Sequence, residues 1–345
     1  MRLLLRVLAV PAALIMVAAC GGGGSPGSPQ STSPGSTSSA TTGARPVSQT
    51  TARPPAMVGV TARGSLALLS SATGAAIRVL VRGGVIGDEI SVSAAGQTVY
   101  FSRRHGCVDD VESVALSGGK PALITTGSLP SISPDGSTLA FARQPTLTRH
   151  CMAGSGDPST QYDLVTRTLS SGVERVYPVL PASQPSGLPA PIAHLSWAPD
   201  GTELAVSIAA IQDNEGWQVA LLDTATAQNY LGGTGVTPVP MTGPDRRRSY
   251  WREGVYLPDG NLFVSLACCA GEPVRNVSKL MWEITPAGVL KHQVAIGFPG
   301  LDHTSLAVNH SGKWMLYLAG TGLYVSEKGA RPRALGSGLI AAAWL

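Results

Sequence analysis

Paired runs of short apolar strands set the pattern of this chain. In "SISPDGSTLAFAR" (131–143) one strand leads into a proline-aspartate-glycine turn, and a second apolar strand leaves it. The same unit recurs as "SVSAAGQTVYFSR" (91–103), "SWAPDGTELAVSI" (196–208), "VYLPDGNLFVSL" (255–266) and "AVNHSGKWMLYLA" (307–319). Pro-Asp presets the turn, and the glycine suits a left-handed position that closes it. A second hairpin follows each unit, in 111–125, 162–177, 217–231, 280–294 and 322–335. Two hairpins make a four-stranded antiparallel sheet that cannot cover its own faces. Turn-glycine spacings of 40, 65, 59 and 52 residues fit such sheets joined by connections of unequal length.

Sheets of this kind pack face to face in a ring, and the chain ends give the count. "GLIAAAWL" (338–345) reads as a lone innermost strand, matching "AHLSWAPDG" up to its tryptophan. "GSLALLSSATGAAIRVL" (64–80) reads as the other three strands of the same sheet. Joining them predicts an all-β, six-bladed β-propeller closed by strands from both termini, which leaves no free sheet edge at the seam. Strands hidden in 178–192 or 232–252 would make it seven-bladed, and the Pro and Gly content there argues against that. The Ser/Ala-Pro-Asp-Gly turn followed by Leu-Ala-Phe or Leu-Ala-Val resembles the repeats of TolB-like propellers. It is also similar to the propeller halves of prolyl-oligopeptidase-type peptidases. The TolB-like resemblance implies scaffolding in the cell envelope. The extra N-terminal α/β domain usual in TolB has no counterpart here, and neither does the α/β domain that carries the peptidases' nucleophile.

Residues 1–20 read as a leader. Arg2 and Arg6 precede an apolar run, Val7 to Val17, that is too short for a permanent membrane span. Val17-Ala18-Ala19-Cys20 resembles the lipobox of bacterial lipoproteins, which implies a lipid on Cys20 and a location on the outer face of the cytoplasmic membrane. Residues 21–56 are dominated by Gly, Ser, Thr, Pro and Ala and read as a solvated tether, since they cannot bury enough apolar surface to offset ordering. Residues 57–345 read as the propeller. Four of the 25 Lys and Arg precede residue 57 and no acid does, so the propeller itself holds 21 of each sign. A nucleic-acid partner fits poorly with that balance.

Blade connections alternate between two faces. Turns within hairpins lie on one face and are predicted to be tight throughout. The other face gathers the longer connections, where binding residues concentrate on a rigid scaffold. It holds Arg103, Arg104 and His105, then Arg149 and His150, then Arg246, Arg247, Arg248, Tyr250, Trp251 and Arg252, and finally Asp302 and His303. Arginine forks bind carboxylate or phosphate, and aromatic rings supply rigid contact area. Asp245 and Glu253 would neutralise the arginine cluster internally in the competing reading. His194, just inside an innermost strand, could line the same face.

Cys107 and Cys151 occupy matching connections of adjacent blades, which favours a disulfide outside the cytoplasm, with Cys268 and Cys269 as a second pair or reduced. A zinc site from His105, Cys107, His150 and Cys151 is the rival arrangement. No catalytic, nucleotide or dinucleotide fingerprint occurs, so neither cofactor nor metal is expected. The expected function is a monomeric, non-catalytic propeller that binds an envelope protein or acidic ligand. A hydrolase or lyase using His303 and Asp302 on glycans or phosphoesters is the alternative.

Overall fold

A computed structural model describes residues 54–106, 108–143, 162–178, 192–208, 218–240, 249–268, 281–293, 303–319, 322–328 and 330–345. Three strands open the ring: β1 (Met57–Thr61), β2 (Leu66–Leu69) and β3 (Ala76–Val81). Blade 2 is β4 (Val85–Val92), β5 (Thr98–His105), β6 (Val108–Ala115) and β7 (Ala122–Thr126). Blade 3 is β8 (Ser128–Ile132), β9 (Thr138–Arg143), β10 (Asp163–Thr168) and β11 (Glu174–Tyr177). Blade 4 is β12 (Ile192–Trp197), β13 (Glu203–Ile208), β14 (Gln218–Asp223) and β15 (Val236–Pro238). Blade 5 is β16 (Ser249–Tyr256), β17 (Leu262–Cys268), β18 (Met281–Ile284) and β19 (Leu290–Gln293). Blade 6 is β20 (His303–Val308), β21 (Trp314–Ala319), β22 (Gly322–Glu327) and β23 (Arg333–Ser337). The last strand, β24 (Leu339–Trp344), pairs with β1 and completes blade 1 in the order β24-β1-β2-β3. The protein is a six-bladed propeller.

The seam follows the repeat. Met57 pairs with Trp344 and Val58 with Ala343. The Leu345 N–H donates to the Ala56 carbonyl at 2.9 Å. An equivalent bond closes each turn-connected inner hairpin, from Ser93 to Thr98, Ser133 to Thr138, Ala198 to Glu203, Leu257 to Asn261 and Asn309 to Trp314, at 2.8–2.9 Å. The propeller therefore starts and stops inside what would be its sixth turn. In the other five, Gly96, Gly136, Gly201, Gly260 and Gly312 have φ between +64° and +79°, the conformation that requires glycine there.

Two boundaries differ from the sequence reading. Only β2 and β3 lie within 64–80, and the strand next to β24 is the earlier segment Met57–Thr61, whose apolar run needs no turn signal before it. The fourth strand of blade 4 is Val236–Pro238, beyond the expected 217–231 hairpin. Thr224–Gly235 is consequently a longer connection on the face expected to hold only tight turns. It is folded on itself, with Asp223 Oδ1 accepting the Ala225 N–H at 2.8 Å and Asn229 Oδ1 accepting those of Leu231 and Gly232 at 3.0 Å.

Six apolar clusters lie at the six joints between blades, so both faces of each blade are covered. This explains why Leu204-Ala205-Val206 is apolar at consecutive positions: Leu204 and Val206, with Ile208, pack toward blade 3, and Ala205 toward blade 5. Innermost strands still leave one edge of N–H and C=O groups facing the axis, and buried groups of that kind need partners. The repeat serines supply several. Ser91 Oγ accepts from Ile132 N at 2.9 Å, Ser131 Oγ donates to the Leu195 carbonyl at 3.1 Å, and Ser196 Oγ accepts from Tyr256 N at 2.9 Å. The aligned indoles do likewise: Trp197 Nε1 donates to Ser131 O at 2.9 Å and Trp344 Nε1 to Ala307 O at 3.2 Å.

Candidate functional site

Strand direction assigns each connection to a face. One end of the ring carries the hairpin turns, residue 54 and the C-terminal Leu345. The other end carries every strand-two-to-three and blade-to-blade connection. On this second face, the connections through 144–161, 179–191, 209–217, 241–248, 269–280 and 294–302 all join strands between β9 and β20. The rest of that face, from β20 through the seam to β8, has only short connections.

Arg103, Arg104 and His105 end β5 on the short-connection side of this face. Hairpin register sets Arg104 opposite Asp109. Arg104 grips Asp109 with two bonds of 2.7 and 3.0 Å. Arg103 lies 3.4 Å from Glu112 Oε2, and His105 Nε2 lies 3.0 Å from Oε1 of the same carboxylate. Glu112 is buried, so both partners serve to compensate its charge. Trp251 is only 2% exposed, packs between blades 4 and 5, and donates from Nε1 to Pro240 O at 3.1 Å. The structure thus makes it a joint-filling residue with no surface for a partner. Tyr250 and Arg252 fall in β16, Cys268 at the end of β17 and His303 at the start of β20; their side chains lie outside the described residues. Cys20, Cys107, Arg149, His150, Cys151, Arg246, Arg247, Arg248, Cys269 and Asp302 also lie outside them.

The most unusual chemistry lies on the axis. Every innermost strand carries a register shift near its start, between Val85 and Ile90, Ser128 and Ser131, Ile192 and His194, Trp251 and Glu253, and His303 and Ser305, with the matching irregularity in β24 at Leu339–Ala341. Bulges re-aim the side chains beside them. The residue two before the repeat position of Ser91, Ser131, Ser196, Val255, Ala307 and Ala343 follows or adjoins each bulge, so that Glu89, Leu129, His194, Glu253, Ser305 and Ala341 hold equivalent places in their strands. His194 Nε2 lies 3.8 Å from Glu89 Oε1 and 3.7 Å from Glu253 Oε1, with the three side chains 14%, 10% and 8% exposed. The carboxylates also hold strand edges: Glu89 Oε2 accepts from Leu195 N at 3.3 Å and Glu253 Oε1 from Leu306 N at 3.0 Å. Burial depresses the imidazole's pKa from 6.5 to about 4, against a smaller opposing effect from the Gly254 backbone. His194 is therefore neutral at pH 7, and its Nδ1 meets no partner at hydrogen-bond geometry. Among the described residues, no group of three or more His, Cys, Asp or Glu is arranged to hold a metal ion.

Sequence reading noticed His194, missed Glu89, and assigned Glu253 to neutralising the arginine cluster, whereas its carboxylate lies beside His194 and accepts from Leu306 N. Aligning the repeats two residues upstream of the position of Ser91 would have set all three on one tier.

On the opposite face a cleft of about 700 Å³ separates the turns of blades 4 and 5, lined in part by Asp200, Glu203, Asp223, Tyr256 and Asp259. Its acids are engaged locally. The Thr202 backbone N–H and hydroxyl lower the Asp200 pKa, and Tyr256 donates its hydroxyl proton to Glu203.

No protein-family model matches the chain, and no curated protein does at the level searched. Solved structures do match. TolB from Acinetobacter baumannii superposes with a TM-score of 0.56 at 14% identity, over 84% of this chain and 65% of that one. The chain thus spans just under two thirds of that protein's length. A putative TolB from Agrobacterium tumefaciens gives 0.50 at 12% identity, over 82% and 90%. An oligogalacturonate lyase in complex with manganese also gives 0.50, at 13% identity, over 79% and 70%. Likeness this distant fixes architecture and leaves chemistry open. The chain is a six-bladed β-propeller with a TolB-like fold.

Proposed function

We propose that the protein is a lipid-anchored, extracytoplasmic, non-catalytic propeller that binds an envelope protein or acidic ligand through its long-connection face. The observation that carries this reading is the opposition of the two ends. Residue 54, where the described propeller begins, joins β1 on the turn face, and the long connections lie on the other. Arg149, His150, Arg246, Arg247, Arg248 and Asp302 belong to connections that attach to that far face. The lipobox-like Val17-Ala18-Ala19-Cys20 supports the anchor, and the TolB-like fold is compatible with a protein partner. Crosslinking in the producing cell tests the reading. Wild-type protein is expected to trap a discrete partner, and Arg246, Arg247 and Arg248 changed together to Ala should reduce the yield at least tenfold. Equal yields would remove the arginine site. Palmitate labelling abolished by Cys20→Ser checks the anchor.

The axial tier favours a second reading, an envelope hydrolase or lyase on glycans or phosphoesters, because it sets an imidazole beside two carboxylates. A panel of those substrates, with His194→Ala and His303→Ala controls, separates the two. Turnover sensitive to either change would displace the binding reading.

A further inference from the structure

We propose that Glu89, His194 and Glu253 form a proton-operated clasp across the ring axis, which loosens on acidification the innermost strands that support the long-connection face. The inference rests on that face being the working one, and it adds regulation to it.

The three residues come from blades 2, 4 and 5. His194 and Glu253 lie in the early part of their innermost strands, at the end to which long connections attach, and Glu89 reaches them from the middle of β4. β12 follows the connection through 179–191, and β16 follows the one carrying Arg246–Arg248. Any movement of these strand starts is transmitted to the anchors of those connections.

Burial holds the imidazole in its neutral form. Its Nε2 faces two acceptors, so Nε2 carries the hydrogen of the neutral ring and Nδ1 keeps a lone pair. A proton added at Nδ1 would sit on a buried atom that meets no partner at hydrogen-bond geometry, and the Gly254 backbone offsets only a smaller part of that burial cost. The new charge would draw the carboxylates from 3.7 and 3.8 Å toward the ~3 Å of an ionic hydrogen bond. Glu253 Oε1 is also the acceptor of the Leu306 N–H that fastens β20, so a shift toward His194 weakens that bond. Glu89 is similarly committed to Leu195. One protonation event therefore loads contacts in blades 2, 4, 5 and 6.

No other described ionisable group competes for the imidazole. β8 brings Leu129 and Ser131, and β13 brings Ser207 and Ile208. Arg143 at the end of β9 is turned to Glu174. β24 contributes Ala341.

The sign follows from proton uptake. A folded state that resists protonating His194 binds fewer protons than the unfolded chain from about pH 6.5 down to about 4. Stability is full above that window and falls through it, by up to tenfold in the unfolding constant per pH unit.

The test is denaturant unfolding from pH 7.5 to 4.5, with amide exchange at Leu195 and Leu306. Wild type should lose stability through the window, with faster exchange at both amides. His194→Gln should flatten the profile between pH 6.5 and 4.5. An unchanged slope in that variant overturns the clasp. Should the variant fail to fold, proton NMR of His194 in the wild-type protein decides: titration below pH 5.5 supports the clasp, and titration above 6 overturns it. Partner crosslinking at pH 7.5 and 5 completes the test. Loss of yield at pH 5 in wild type, retained in His194→Gln, links clasp to face. Pairing that is equally acid-sensitive in both proteins removes the link. Absence of any partner at pH 7.5 defeats the binding reading alone, because the protein's own pH profile still reports on the clasp.

Discussion

The two ends of the ring handle polar groups in contrasting ways. On the turn face, the aspartates of the Pro-Asp-Gly turns fold back on their own backbone, beside a few pairs between strands such as Lys313 with Glu327 and Tyr256 with Glu203. Asp135 Oδ1 accepts from Ser133 Oγ at 2.5 Å and from Ser137 N at 3.0 Å, and Asp200 and Asp259 repeat the motif. On the long-connection face, the described charges answer one another across strands: Arg104 meets Asp109, and Arg103 and His105 share Glu112. The first device depends on residues two apart and is visible in any turn motif. The second depends on register, so a cluster of basic letters says little about free charge until the opposing strand is known. In blade 2 the neutralised arrangement holds, which leaves the connections of blades 3 to 5 as the part of that face able to carry the proposed binding.

The largest expected effect breaks the regularity of the turn face at its one cut hairpin. Trp344 fills the joint between blades 6 and 1 and donates to Ala307, as Trp197 does to Ser131 in an intact hairpin. Trp344→Ala removes an aromatic side chain from a packed joint and should cost about 3–5 kcal/mol in urea unfolding. Trp197→Ala should cost about the same if the hydrogen-bonded seam is as firm as a covalent turn. A much smaller loss at Trp344 would show that the seam frays and that the two hairpins are equivalent in form only.

The contrast between the faces also explains what was legible in the sequence. Blade number, ring closure and the inner hairpins were readable because Pro-Asp-Gly acts locally and the turn glycines need positive φ wherever they lie. The fourth strand of blade 4 was not, because the Asp223 and Asn229 side chains divert 224–235 into a structured connection before Val236. Trp251 looked like a contact residue beside three arginines, yet the joint between blades 4 and 5 needed a large side chain there. Glu89 went unnoticed, and Glu253 was assigned to the arginine cluster, because bulges reset which inner-strand residue meets the axis. Arg103, Arg104 and His105 were found by position, and their partners became evident only from pairing.

The next effect compares two depressed carboxylates. Asp135 is held to about 2 by hydrogen bonds from Ser133 and Ser137 within its own turn. Glu174 is also held to about 2, chiefly by hydrogen bonding from Arg143, against an opposing burial cost and with further help from Arg167. Glu174 ties three strands of blade 3, with bonds of 2.7 Å to Arg143 and 2.8 Å to Arg167. Its folded pKa lies below the unfolded value of 4.5, so the stability it contributes is present above pH 4.5 and is lost as pH falls toward 2. With solvent screening of this partly exposed network, the contribution is on the order of 1–2 kcal/mol. Glu174→Gln should therefore lower stability at pH 7 and leave it nearly unchanged at pH 2. Asp135→Asn keeps a turn acceptor in place and should move the unfolding midpoint far less. Equal losses for the two would mean that turn bonds and cross-strand ion pairs contribute alike.

The smallest effect separates buried from exposed pairing within one hairpin. Glu112 is 9% exposed at its side chain, whereas Arg104 is 58% exposed in its pair with Asp109. Removing a buried charge partner strands both Arg103 and His105, so Glu112→Ala should cost about 1–3 kcal/mol. Asp109→Ala should cost less than ~1 kcal/mol, because water screens the guanidinium it leaves behind. Both changes release positive charge at the same edge of the ring, so they also probe function. If either variant traps new acidic ligands in the crosslinking assay while wild type does not, pairing in blade 2 is what keeps that edge silent. If neither does, shape in the longer connections outweighs charge in choosing the partner.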